Sequence, residues 1–128
     1  LQTLDAPDER TPTPFERAEI HASRGEHEAA AALYAELAKD GDAKARTRLA
    51  WMYEAGRGVS RDLDAAARLF MASAQAGDAE AQYAIGVMTM TGRGQPLDPA
   101  SAREWLQKAA AQNHPAARAA LAGDSADR

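Results

Sequence analysis

The chain has 128 residues, enough for one domain of ordinary size, with 45% apolar residues but only 5% aromatic ones. Fifteen Lys and Arg against nineteen Asp and Glu give a net charge of -4, which argues against the clustered basic footprint of a nucleic-acid binder. The absence of cysteine excludes disulfides and thiolate chemistry, and no run of about 18 apolar residues is available for membrane insertion.

Residues 1–14 carry Pro7, Pro12 and Pro14 among acidic residues and threonines, without the basic start and apolar core of a signal peptide. They bury too little to offset ordering and read as a flexible tail. From Phe15 the pattern turns helical, and the spacing predicts helices over 15–24 and 26–39, joined at Gly25. A third helix over 43–55 follows from the stripe Ala45, Leu49, Met52, Tyr53, with Gly56 ending it. Asp62 is the expected N-cap of a helix over 63–76, whose inward stripe is Ala66, Leu69, Phe70, Ser73 and Ala74. Gly77-Asp78 ends that helix and caps the next, 79–91. Asp98 followed by Pro99 opens another over 99–112. Pro115 begins a short closing helix, 116–122, and residues 123–128 read as a second flexible tail.

These elements repeat. Residues 43–78 and 79–114 are two copies of one 36-residue unit, with Ala43, Ala45, Met52, Gly56, Arg57, Gly58, Asp62, Ala66 and Ala74 recurring as Ala79, Ala81, Met88, Gly92, Arg93, Gly94, Asp98, Ala102 and Ala110. One period earlier, Ala30, Leu33, Tyr34 and Leu37 fall on Ala66, Leu69, Phe70 and Ser73, so 15–42 is a shortened first unit. A fixed period of this length is the signature of a stacked array, which buries its core between neighbours and leaves a broad surface free. The expected fold is all-α, about seven helices over 15–122, with units 15–42, 43–78, 79–114 and the closing helix 115–122.

The two full units resemble Sel1-like repeats, a branch of the tetratricopeptide-type α/α solenoids. The residues that carry the likeness are Leu49-Ala50, Met52-Tyr53, Gly56-Arg57-Gly58-Val59, Asp62, Ala66, Leu69-Phe70 and Ser73-Ala74, with Ile85-Gly86, Met88, Gly92-Arg93-Gly94, Asp98, Ala102, Trp105-Leu106, Lys108 and Ala109-Ala110 in the second copy. Thr89 departs from the pattern where an aromatic is usual, and Gln95-Pro96 replace the hydrophobic turn residue seen as Val59, so looser packing of the third helix pair is expected. The resemblance implies a right-handed superhelix whose first helices line a concave face that docks proteins. It further implies an envelope- or secretion-linked setting, or neutralisation of a toxin.

Few residues point to chemistry. His21, His27 and His114 lie at turns, none beside a serine in a pattern suited to nucleophilic catalysis. His21 and His27 are six apart, which breaks the helical spacing of a zinc pair. Gly56-Arg57-Gly58 and its copy follow helices and recur every unit, so backbone turning explains them better than a phosphate cradle. Tyr34, Phe70, Trp105, Leu106, Met52 and Met88 read as core. No enzyme activity, cofactor or metal is expected.

The informative positions are those left over by the core stripe. On the concave face these are Lys44, Thr47, Arg48, Trp51, Glu54 and Ala55, then Glu80, Tyr83, Val87, Met90 and Thr91. Trp51, Tyr83 and Val87 would serve as apolar anchors, and Lys44, Arg48, Glu54 and Glu80 would set polar register. Trp51 packing against helix 15–24 is the competing arrangement. The expected function is non-enzymatic binding of a protein or peptide partner by a chain that is monomeric alone. The alternatives are a segment of a longer scaffold solenoid, or a saccharide- or peptidoglycan-binding module with Trp51 and Tyr83 as stacking platforms.

Overall fold

Seven α-helices and no strand are present among the described residues, 10–126 of the computed structural model: α1 Pro14–Ser23, α2 His27–Lys39, α3 Ala43–Ala55, α4 Leu63–Gln75, α5 Ala79–Thr91, α6 Pro99–Ala111 and α7 Pro115–Ala126. Each helix packs on the next in chain order, which makes an all-α solenoid of helical hairpins. No helix among the described residues is long and apolar enough to cross a membrane.

Local chemistry sets the boundaries. Asp42, Asp62, Asp78 and Asp98 are N-caps, each carboxylate accepting a backbone N–H three residues on, at 3.0–3.3 Å. Thr13 and Glu16 form a reciprocal capping box that starts α1 at Pro14. The expected tail over 1–14 therefore ends earlier, and its residues 1–9 lie outside the described residues. At the other end α7 runs on to Ala126, past the expected end at 122, because alanine is the best helix former and Gly123 alone does not break the run. Only 127 and 128 of the expected second tail lie outside the described residues.

The turns obey the period as closely as the helices do. Gly56 and Gly92 end α3 and α5 in the left-handed conformation, at φ 71° and 72°. Asp62 N–H then donates to the Tyr53 carbonyl at 2.9 Å, and Asp98 N–H to the Thr89 carbonyl at 3.0 Å. Between units, Gly41, Gly77 and Asn113 stand one period apart, all at positive φ. Asparagine is the residue after glycine that best tolerates that conformation.

Alanine-rich packing fills the core. Tyr34, Phe70 and Leu106, one period apart, each sit in a separate buried cluster with alanines from adjacent helices. Tyr53 and Leu69 pack against both the first and second clusters and join them. Met52 and Met88 are buried as expected, while Trp105 is half-buried with the Lys108 ammonium 4.4 Å from its ring centre. The looser third pair expected from Thr89 is not found. Thr89 is buried, its hydroxyl returned to the Ile85 carbonyl at 2.7 Å, and α5 and α6 make the most extensive contact of any helix pair. Gly86 explains this, since a Cβ there would stand 3.0 Å from the Leu106 side chain.

The second glycine of each loop joins one unit to the previous one. A Cβ on Gly58 would lie 2.3 Å from the His27 carbonyl oxygen, and one on Gly94 would lie 2.7 Å from that of Leu63. His27 and Leu63 are the first residues of α2 and α4, so both loops press on equivalent points of the preceding hairpin.

Candidate binding clefts along the first helices

Residues at Lys44, Arg48, Trp51 and Ala55 are spaced so that they share one face of α3, and that face borders two clefts. The larger, of about 500 Å³, is lined by Glu19 and Ala22 of α1, His27 and Tyr34 of α2, Arg48, Trp51, Met52, Glu54 and Ala55 of α3, and Arg57. A neighbouring cleft of about 490 Å³ shares Arg48 and adds Lys44, Asp78, Glu80, Gln112 and His114. A third, about 300 Å³ and mainly apolar, lies farther along, between Val87, Met90 and Thr91 of α5, Leu106 of α6 and Leu121 of α7.

The large cleft rests on an ordered polar network. The Tyr34 hydroxyl donates to Glu19, and Arg48 Nε donates to the same carboxylate oxygen at 2.9 Å. Arg48 also lies over Phe15, 5.7 Å from its ring centre, and Phe15 meets Tyr34 edge-on. Burial opposes ionisation of Glu19, but the Tyr34 and Arg48 hydrogen bonds outweigh it and hold the carboxyl below its ordinary range. The same burial, reinforced by Glu19, pushes the Tyr34 phenol well above its usual value. For Arg48, burial is outweighed by Glu19 and keeps the guanidinium firmly protonated.

Trp51 is half-buried, its ring edge-on to Phe70 with centres 4.8 Å apart, and it belongs to the second core cluster. It therefore packs on α4, and its remaining surface faces the large cleft, which Glu19 and Ala22 of α1 also line. Glu54 accepts from Arg93 of the next unit at 3.2 Å, while its carbonyl accepts from Arg61 at 3.1 Å.

Two of the expected contact residues have other work. Thr47 is 1% exposed, so it is removed from the candidate surface. Its hydroxyl lies 3.1 Å from the Ala43 carbonyl and 2.8 Å from the Asp78 carboxylate that caps α5, which holds it against the next unit. Tyr83, its counterpart one period on, lines none of the three clefts. It stacks on His114, 4.9 Å between ring centres at 20°, and packs against the third core cluster.

His114 occupies the place of Asp42 and Asp78 and takes over their role. Its Nδ1 accepts the Ala117 N–H at 3.2 Å, capping α7, and its Nε2 meets Glu80 at 3.0 Å. An accepting Nδ1 puts the proton on Nε2, which donates to Glu80. The 36-residue register, taken one unit further, identifies this cap. Among the described residues no group of three or more His, Cys, Asp or Glu is placed to hold a metal ion, and His21 pairs with Glu26 at 2.9 Å.

The Sel1 repeat family model matches residues 43–78 and 79–114. A crystal structure of a Sel1 repeat protein from Oxalobacter formigenes is 32% identical, with 86% of each chain covered and a TM-score of 0.78. A protective antigen present in uropathogenic Escherichia coli strains, which displays an SLR fold, is 28% identical over 81% of this chain with a TM-score of 0.76. This chain spans only 23% of that protein. No curated protein matches the chain.

Proposed function

Because the chain belongs to the Sel1 repeat family, a helical scaffold commonly used for protein interaction, we propose that it is a non-enzymatic module that holds a protein segment along α1, α3 and α5. One observation carries this reading. The Trp51 indole is fixed edge-on against Phe70 yet borders a cleft of about 500 Å³, so it offers apolar contact area that costs little ordering on binding. Lys44, Arg48 and Glu80 continue the lining beyond it, while Val87, Met90 and Thr91 border the apolar cleft farther along. The chain would act by display, and its preformed helices supply the rigidity that a flexible binder lacks.

The test is a partner captured with the immobilised protein and then measured by calorimetry against variants. Trp51→Leu keeps an apolar side chain against Phe70 but removes the indole, and is expected to weaken binding at least tenfold. Gln107→Ala, an exposed position on α6, is expected to leave affinity unchanged. Equal affinities for both variants, with helicity preserved, would remove Trp51 and its cleft from the interaction.

A further inference from the structure

We propose that the segment held in these clefts is acidic, with carboxylates placed on either side of one large apolar side chain; this rests on the groove reading above. The charges that line the clefts are unequally paired. Each acid lining the two clefts that share Arg48 is already engaged inside the protein. Glu19 accepts from Tyr34 and Arg48, and Glu54 from Arg93. Asp78 accepts from Thr47 and the Ala81 N–H, and Glu80 from His114.

The cations are in the opposite position. The side chains of Lys44 and Arg57 line the clefts without an ion pair or hydrogen bond among the described residues. Arg48 commits its Nε to Glu19, and a guanidinium has four further N–H groups. The charges these clefts present without a partner are therefore the Lys44 and Arg57 cations, together with the free surface of an indole. A ligand that satisfies them brings acceptors, and charged acceptors make the stronger bonds.

Geometry adds a length. Lys44 stands in the first turn of α3, and Arg57 just past its end, where Gly56 reverses the chain and Gly58 seats the loop on the His27 carbonyl. At about 1.5 Å per residue the two cations are separated by roughly 20 Å along the helix. An extended segment covers that distance in about six residues. Trp51 lies midway between them, so the apolar side chain belongs near the centre of the segment.

The probe is a set of nine-residue synthetic peptides with a central Phe and outer positions occupied by Asp, Asn or Lys, followed by fluorescence anisotropy at low and physiological salt. The Asp peptide is expected to bind at least tenfold more tightly than the Asn peptide, and the gap should shrink with salt. Lys44→Glu with Arg57→Glu should abolish that preference and transfer it to the Lys peptide. Equal binding of Asp and Asn peptides, lost in Trp51→Leu, would overturn the acidic segment and leave the groove reading standing. No binding by any peptide would overturn both. An oligogalacturonate that displaces the Asp peptide and itself depends on Trp51 would overturn the peptide assignment in favour of an acidic glycan.

Discussion

Gly58 and Gly25 make a matched pair for testing how units are joined. Both have positive φ, 74° and 79°, so alanine at either position meets the same left-handed penalty of about 1–2 kcal/mol. They differ in what a methyl group would meet. At Gly25 nothing lies within 4 Å, whereas at Gly58 the His27 carbonyl oxygen would be 2.3 Å away and its carbon 2.6 Å away. A backbone group cannot rotate aside as a flexible side chain can, so the loop must lift from α2. Forced overpacking of this kind adds about 1–3 kcal/mol. Gly25→Ala is thus expected to cost about 1–2 kcal/mol, and Gly58→Ala about 2–5 kcal/mol. Urea unfolding followed by circular dichroism measures both, with an unchanged slope confirming a change in stability alone. Gly94→Ala should follow Gly58→Ala, because its Cβ would stand 2.7 Å from the Leu63 carbonyl. If Gly58→Ala and Gly25→Ala shift the midpoint equally, close seating of the loop on the preceding hairpin does not hold the units together.

Thr47→Val keeps the shape of a buried side chain but leaves Asp78 without one donor, and should cost about 1–3 kcal/mol in thermal unfolding. Asn113→Gly relieves a left-handed conformation at φ 66° and is expected to stabilise the chain by up to about 1 kcal/mol, read as a raised midpoint in the same assay. Trp51→Ala removes the edge contact with Phe70 as well as the cleft surface, so the melting temperature should fall measurably; an unchanged melting temperature would contradict that packing. Glu19 has a folded-state value below its ordinary one, so its contribution to stability is complete above the ordinary value of 4.5 and fades as pH drops through the lower folded value. Glu19→Gln should accordingly flatten the acid side of a melting-temperature profile, most clearly below about pH 4.5.

The 36-residue period carried most of the architecture, because caps and turns are chosen by residues next to them in sequence. Asp62, Asp98, Gly56 and Gly92 act where local rules placed them. The surface was less legible, for a physical reason. A helical wheel ranks positions by direction from one axis, but a helix in this stack has neighbours on several sides. Thr47 and Tyr83 point away from the core stripe of their own helix, yet each meets the cap residue of the following first helix. Trp51 likewise turned toward Phe70 within its own unit. The Thr47 and Tyr83 contacts depend on how far one hairpin rotates on the next, which pattern alone does not encode. His114 was hidden differently, since histidine is an unusual cap and its role shows only when the last residues of the two copies, Asp78 and His114, are set against each other.

The pairing of Thr47 with Asp78, and of Tyr83 with His114 one period later, has a consequence for how a near-duplicate chain avoids errors. Units this alike invite slippage, in which a hairpin settles one place too far along or exchanges with its equivalent in another molecule. Here a displaced hairpin would set a bulky phenol where the fully buried Thr47 fits, or a small hydroxyl where a ring stacks on His114, and neither side chain fills the place of the one it replaces. Each junction thus carries its own address, and the array is told apart from its misassembled forms at the seams between its copies.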